Sequence, residues 1–298
     1  MSNQNSTKTL EPPWTILKIL QWATPYFQSR DIDSPRLTAE VLLSYVLGMD
    51  RIDLYARFDQ PLSDEELTCL KSLIRRRISR EPVAYIIGRK EFMGIDLAIT
   101  PDVLIPRPET EFLVGAALDV LPDAAASPPR RVIDIGTGSG AVIIALAHHR
   151  PGHSFFATDI SEAAIEIARA NVAAIGSDNI SFFAGDLFAS LGEDQEKFDL
   201  IVSNPPYIPT ACIPELAPEI SRYEPVEALD GGPDGLAVIR RIVALAPSFL
   251  NPDGRLMMEI GHDQAGAVSR LAAEARCFSD VLFVRDYAGH ERIAVMSL

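Results

Sequence analysis

Cysteine is nearly absent. The 298 residues hold three, Cys69, Cys212 and Cys277, far apart and without CxxC spacing. An odd, scattered set builds neither a disulfide framework nor a thiolate zinc site, and it fits a reducing compartment. Basic residues are scarce as well: 27 Lys and Arg stand against 41 Asp and Glu, for a formal net charge of −14. That balance excludes binding to nucleic acid through a broad basic face, because such affinity comes from cations neutralising phosphates. A local basic patch stays open, but direct DNA binding is not expected. Long apolar runs are missing too: no window approaches the ~20 residues of a membrane span. The first residues, MSNQNSTKTLEPPW, carry no apolar signal core. A cytoplasmic protein without a membrane partner is predicted. The five histidines, His148, His149, His153, His262 and His290, show no metal-ligand spacing, so no metal is expected.

Apolar residues make up 47% of the chain, enough for a sizeable core, and the length suits roughly two domains. From Trp14 to Ile87 the apolar spacing is helical, for example Leu37, Val41, Leu42, Tyr45 and Val46, then Leu67, Leu70, Ile74 and Ile78. Ser63 followed by Glu66 fits a capping box. Residues 1–87 are therefore a helical domain. Residues 88–110 alternate and are rich in Gly and Pro, which predicts a hairpin connector entering a helix at Glu109 or Thr110. PDAAASPP, Pro122 to Pro129, is a loop. Within residues 111–298 strand and helix patterns alternate: RRVIDI, a helix from Ala141, HSFFATDI, a helix after Ser161, NISFFAGDLF, FDLIVSNPPY, a helix from Leu236, then GRLMMEIG. Such alternation predicts an α/β fold with a doubly wound, mostly parallel, Rossmann-like sheet. The tail, DVLFVRDYAGHERIAVMSL, reads as two strands around an Ala-Gly-His turn, an antiparallel terminal hairpin.

In such a sheet, ligands lie beyond the carboxyl ends of the strands. DIGTGSGA places Gly136, Gly138 and Gly140 where the backbone turns and a ligand approaches it closely. Asp159 ends the next strand about 20 residues on, where a carboxylate accepts hydrogen bonds from a ribose diol. Together they predict an adenosine-type ligand. Gly136, Gly138 and Ala141 also satisfy a dinucleotide pattern, so a nicotinamide enzyme is an alternative.

The third strand end is Asn204-Pro205-Pro206-Tyr207. A primary amide or amine offers two N–H donors and needs two acceptors. Asn204 supplies a side-chain carbonyl, and Pro205 supplies a main-chain carbonyl stiffened by the ring and its neighbour. Tyr207 offers a flat wall. The group reads as a clamp for a planar NH2, against the plain alternative of a strand stop and rigid turn. Arg107, Glu109 and Glu111 line a pocket entrance or, for the acids, begin a helix. Glu259 is either support behind the site or a plain strand-end acid.

The combination of Asp134-Ile-Gly-Thr-Gly-Ser-Gly140, Asp159 and NPPY resembles S-adenosylmethionine-dependent methyltransferases acting on NH2 groups. With REPVAYIIG at Arg80, LIPRPETE at Leu104 and RYEPVEALDGGPDGL at Arg222, nearly the whole chain resembles the HemK/PrmC family, the peptide chain release factor glutamine methyltransferases. The resemblance implies a helical N-terminal substrate-recognition domain and a seven-stranded methyltransferase domain. It implies methyl transfer to the glutamine of the Gly-Gly-Gln tip of class I release factors. By motif match, Asp134, Gly136, Thr137, Gly138, Ser139, Gly140, Asp159 and Asn204 would hold the cofactor. Asp186 and Leu187 would lie by its adenine, Leu187 standing where family members often carry an aromatic. Asn204, Pro205, Pro206 and Tyr207 would be catalytic. Arg75, Arg76 and Arg77 follow an apolar helix stripe and read either as a contact for a release factor or ribosomal RNA or, more plainly, as a solvated helix face. Two alternatives remain: an adenine amino-methyltransferase of nucleic acid, which also needs an NH2 clamp, and a non-catalytic module docking on translation factors.

Overall fold

The computed structural model describes residues 13–123, 127–192 and 196–298. Most of the polar N-terminal stretch and the middle of the Pro122–Pro129 loop lie outside the described residues. The chain divides into two compact units, Met1–Ile87 and Gly88–Leu298.

The first unit is helical: α1 (Ile16–Gln28), α2 (Pro35–Leu47), α3 (Arg51–Ala56), α4 (Asp64–Ile78) and α5 (Val83–Ile87). Much of the apolar pattern closes on one core containing Ile16, Phe27, Leu42, Leu43, Leu54, Leu70 and Ile74, whereas Leu37 and Tyr45 of the α2 stripe are exposed. The capping box at the start of α4 is formed: Glu66 N donates to Ser63 Oγ at 3.2 Å, and Ser63 N donates to Glu66 Oε2 at 2.6 Å. The arginine run on α4 departs from the sequence reading. Arg75 and Arg76 are exposed but Arg77 is buried. Arg76 pairs with Glu81 at 2.5 Å and also donates to the carbonyls of Tyr85 and Ile86. Arg77 donates to the Glu81 carbonyl at 3.3 Å. Consecutive helical residues point about 100° apart, so a triplet spans too wide an arc for one solvated face.

The second unit begins with a hairpin, β1 (Arg89–Phe92) against β2 (Ile95–Ala98), followed by a short 3₁₀ turn at Pro108–Thr110 and α6 (Glu111–Val120). Then come β3 (Arg131–Ile135), α7 (Ala141–His149), β4 (Ser154–Asp159), α8 (Glu162–Ile175), β5 (Ile180–Ala184) and β6 (Phe198–Ser203). A short helix α9 (Pro218–Ser221) lies between 3₁₀ turns, and α10 (Ala237–Phe249), β7 (Leu250–Glu259), α11 (Ala265–Ala275), β8 (Asp280–Arg285) and β9 (Glu291–Ser297) complete the unit. The strands form one sheet in the order β5-β4-β3-β6-β7-β9-β8. The first five are parallel, while β9 runs antiparallel to both its neighbours. Val132 to Ile135 of β3 are all buried, and alternate residues face opposite sides, so both faces of the sheet are covered. On α10, Ile239, Ile242, Val243 and Ala246 recur at helical spacing and are all buried.

Two features of this topology position the site. The five parallel strands end along one edge, bringing the glycine turn, Asp159 and Asn204 together. The chain also winds outward from β3 through β4 to β5, then returns to β6 on the other side of β3. That reversal leaves a crevice beyond β3 and β6, which is where such sheets bind ligands.

Candidate functional site

The glycine turn is anchored before any ligand is considered. Gly136 N and Thr137 N both donate to the Thr158 carbonyl, at 2.8 and 3.0 Å. Thr137 Oγ1 donates to Asp134 Oδ2 at 2.7 Å, and Gly140 N closes a turn onto the Thr137 carbonyl. All three glycines have positive φ, but for different spatial reasons. A Cβ on Gly140 would stand 2.9 Å from Ile144 Cδ1 and 3.2 Å from Ala168 Cβ, so its bareness lets α7 pack against α8. A Cβ on Gly136 or Gly138 would meet no protein atom within 4 Å. Their faces are open, as a backbone cradle requires.

Asp159 binds this loop from the side. Its Oδ2 accepts from Gly138 N at 2.8 Å and its Oδ1 from Ser161 N at 2.9 Å. Each oxygen keeps further acceptor capacity. Burial raises the carboxyl above its usual pKa, with those amide bonds opposing. Next to it Ile160 is 67% exposed, an apolar side chain held out at a strand end. Asp186 follows β5 and pairs with Arg241 of α10 at 2.6 Å. Leu187 has φ of 51°, a left-handed conformation costing an L-residue about 1–2 kcal/mol. Such strain concentrates at functional sites.

Burial pushes the Asp134 carboxyl up to about 7, with the Thr137 hydrogen bond opposing and the Asp159 charge adding. A carboxyl raised in the folded state favours the protonated form. Its contribution to stability is complete below the unfolded pKa near 3.9 and is lost as pH climbs through about 7. Between pH 5 and 8, wild type should therefore lose about 3 kcal/mol of stability relative to Asp134→Asn. Denaturant unfolding of both proteins at each pH measures this; parallel profiles would show that the Asp134 shift is not there.

Beyond β6, residues from three sequence segments enclose a pocket of about 150 Å³. Leu104 and Arg107 come from the LIPRPETE stretch, Asn204, Pro205, Tyr207 and Ile208 from the strand end, and Ile220, Ala228 and Leu229 from the stretch around RYEP. Ile208 exchanges backbone hydrogen bonds with Leu229 and Gly231, which lays the third segment against the second. Glu224 joins the third to the first: its buried carboxylate accepts from Arg107 Nη2 at 2.5 Å and from Ile105 N at 3.3 Å. Arg107 therefore does line the pocket, whereas Glu109 and Glu111 lie in the first turns of the 3₁₀ segment and of α6.

Behind the pocket lies a polar chain. Asn204 Nδ2 donates to Thr110 Oγ1 at 3.1 Å, Thr110 donates to Glu259 Oε2 at 2.7 Å, and the Tyr207 hydroxyl donates to Glu259 Oε1 at 3.1 Å. Burial raises the Glu259 carboxyl, and the two hydroxyl bonds oppose that shift. Burial beside Glu259 likewise raises the Tyr207 hydroxyl, keeping it a neutral donor. Glu259 is thus built into the site rather than being a plain strand end. The Tyr207 carbonyl is fixed as well, accepting from Gln264 Nε2 at 3.0 Å.

Sequence reading missed Thr110, Gln264 and Asn171. Asn171 is buried on α8, accepts from Ala98 N at 2.7 Å and donates to the carbonyls of Ala98 and Ser139. It ties the hairpin to the glycine turn. Its signal was a polar residue on the helix face shared with Ala164, Ile165, Ala168 and Val172. Among the described residues, no group of three His, Cys, Asp or Glu is arranged for a metal. No helix among them is long and apolar enough to cross a membrane.

Comparison with known proteins places the sequence and the fold. Residues 18–88 match the PrmC N-terminal domain and residues 127–279 match a methyltransferase domain. A release factor glutamine methyltransferase of Geobacter sulfurreducens is 45% identical over 280 residues, 94% of this chain and 95% of that protein. One of Rhodopirellula baltica is 40% identical over 288 residues, 96% of this chain and 97% of that protein. Among solved structures, the hMettl16 catalytic domain superposes with a TM-score of 0.54 at 17% identity, covering 79% of this chain and 81% of that one. A methyltransferase from Pyrococcus furiosus does so with a TM-score of 0.51 at 19% identity, covering 75% and 95%. The two superpositions speak for the fold alone, whereas the identities extend over nearly the full length. The chain belongs to the release factor glutamine methyltransferase family.

Proposed function

We propose that the chain transfers a methyl group from S-adenosylmethionine to the side-chain nitrogen of the glutamine in the Gly-Gly-Gln tip of class I release factors. The observation that carries this reading is the Asn204 amide, tethered through its own NH2 group at the rim of the pocket, in a chain with the family's sequence over nearly its full length.

The residues fit the cofactor. The open faces of Gly136 and Gly138 suit an approaching methionine chain. Asp159, pinned by two loop amides, keeps acceptor capacity for a ribose diol. Exposed Ile160 and strained Leu187 are apolar partners for an adenine ring, and Asp186 lies beside Leu187. When bound, S-adenosylmethionine supplies an electrophilic methyl group on sulfur. Asp159→Ala should weaken its binding by ~1.5 to 3 kcal/mol, the worth of hydrogen bonds to a charged group. Calorimetry giving unchanged affinity would remove Asp159 from the site.

An amide nitrogen is a poor nucleophile because its lone pair is delocalised. The chain's task is therefore to fix the NH2 and polarise it. Asn204 Oδ1 and the Pro205 carbonyl act as its two acceptors. Pro206 keeps the turn stiff, and Tyr207, Leu104, Ile208 and Leu229 wall the substrate side chain from water. Orientation of this kind supplies ~7 to 11 kcal/mol in favourable cases. The helical unit, with Trp22 stacked on Tyr26 and both Trp14 and Trp22 well exposed, is the surface we assign to recognition of the release factor. The reaction belongs in the cytoplasm, where release factors act. Purified protein given labelled S-adenosylmethionine with a release factor and duplex DNA in parallel tests the reading: label should enter the protein. Label in DNA alone would establish a nucleic-acid methyltransferase instead.

A further inference from the structure

The polar chain behind the pocket has a direction. A threonine hydroxyl carries one hydrogen, and that of Thr110 goes to Glu259 Oε2 at 2.7 Å. Only lone pairs then remain on Thr110 Oγ1 to face Asn204, so the Asn204 amide must turn its NH2 inward, as it does at 3.1 Å. Its carbonyl, Oδ1, is left for the pocket that Asn204 lines. The two ends of an amide have nearly the same shape, so packing cannot choose between them; hydrogen bonding does. Thr110 and Glu259 are both buried, so water does not compete for these bonds. Tyr207 holds the far side of the same carboxyl, donating to Glu259 Oε1 at 3.1 Å. A reversed amide would set its NH2 against a substrate NH2, donor against donor.

We propose that Thr110 is a positioning residue for methyl transfer: its hydroxyl, committed to Glu259, holds the Asn204 carbonyl toward the substrate amide. This rests on the reading of Asn204 as an acceptor for the substrate NH2. Thr110 sits 94 residues from Asn204 and 149 from Glu259, in the turn that opens α6. Its hydroxyl is not spent on capping that helix. The PRPETE stretch thus serves the reaction twice, through Arg107 at the pocket wall and Thr110 behind it.

The test compares Thr110→Val, Thr110→Ser, Asn204→Ala and the Thr110→Val/Asn204→Ala double variant. For each, kcat on a release factor, cofactor affinity and thermal midpoint are measured. Valine keeps the shape of threonine and removes both hydrogen bonds, whereas serine keeps them. Thr110→Val should lower kcat at least tenfold with cofactor affinity unchanged, and Thr110→Ser should stay within about threefold of wild type. In the Asn204→Ala background, Thr110→Val should change kcat no further, because residues acting through one another are not additive. A merely structural role would instead slow both backgrounds by the same factor. That result overturns the proposal, as does a Thr110→Val enzyme as fast as wild type or a Thr110→Ser enzyme as slow as the valine variant. Should valine prevent folding, Thr110→Ala carries the same comparison. An Asn204→Ala enzyme as fast as wild type would overturn the acceptor reading itself, and this inference with it; a slow Asn204→Ala with a fast Thr110→Val overturns this inference alone.

Discussion

Replacing Asn204 with alanine is expected to lower the rate of methyl transfer about 10²- to 10³-fold, the cost of losing one preorganised polar contact to a reacting group. Cofactor affinity should change far less, because the anchors of the glycine turn and Asp159 do not pass through Asn204. The substitution also leaves the Thr110 hydroxyl with no amide to accept from, though Thr110 keeps its bond to Glu259. The fold should therefore survive and the loss appear in the chemical step. Asn204→Asp is a sharper variant. It retains an oxygen toward the pocket but sets a carboxylate where an amide donated to Thr110, so it should keep some activity if geometry dominates. Single-turnover kinetics separate the transfer step from binding; an Asn204→Ala enzyme slowed only through weaker cofactor binding would contradict the clamp.

The second large effect concerns stability. Glu224→Ala should destabilise the protein by ~3 kcal/mol, because the change strips the partners from the Arg107 guanidinium and the Ile105 amide. Breaking a buried pair by removing one member costs more than the pair contributes, since the charge left behind has lost its compensation. Arg107 is partly exposed and can reach water, which keeps the loss at the low end of the range for such pairs. Release-factor methylation should fall as well, because Glu224 holds the segment bearing Leu104 and Arg107 against the segment that carries Ala228 and Leu229. Chemical unfolding measures the first effect. A midpoint within the error of wild type would mean the tie between these segments is not important to the fold.

What the sequence made legible follows from how local each signal is. The Ser63–Glu66 capping box, the Ser161 cap of α8 and the start of α7 at Ala141 depend on residues three or four apart, and they stand where periodicity and cap chemistry put them. The strand-end motifs were legible because a parallel α/β topology gathers strand ends on one edge whatever the loops do. Long-range partnerships were not legible. Thr110 and Glu259 are 149 residues apart, and neither has a neighbour in sequence that marks it as a partner of Asn204. Asp186 carries a charge whose answer, Arg241, lies 55 residues on along α10. The buried Arg77 eluded the reading because three arginines in a row look alike in composition and differ only in where the helix turns them. The turns between Thr210 and Ala228 have weak local signals, and they are held by pairing between Ile208 and the Leu229–Gly231 stretch.

The most direct test of the central claim is to locate the methyl group. Incubation with S-adenosylmethionine and an intact class I release factor, followed by peptide mass analysis, should find a single added methyl on the side-chain nitrogen of the Gly-Gly-Gln glutamine. A release factor with that glutamine changed to alanine should take up none. Methyl incorporation that persists in the alanine variant, or that maps to any other residue, would contradict the account.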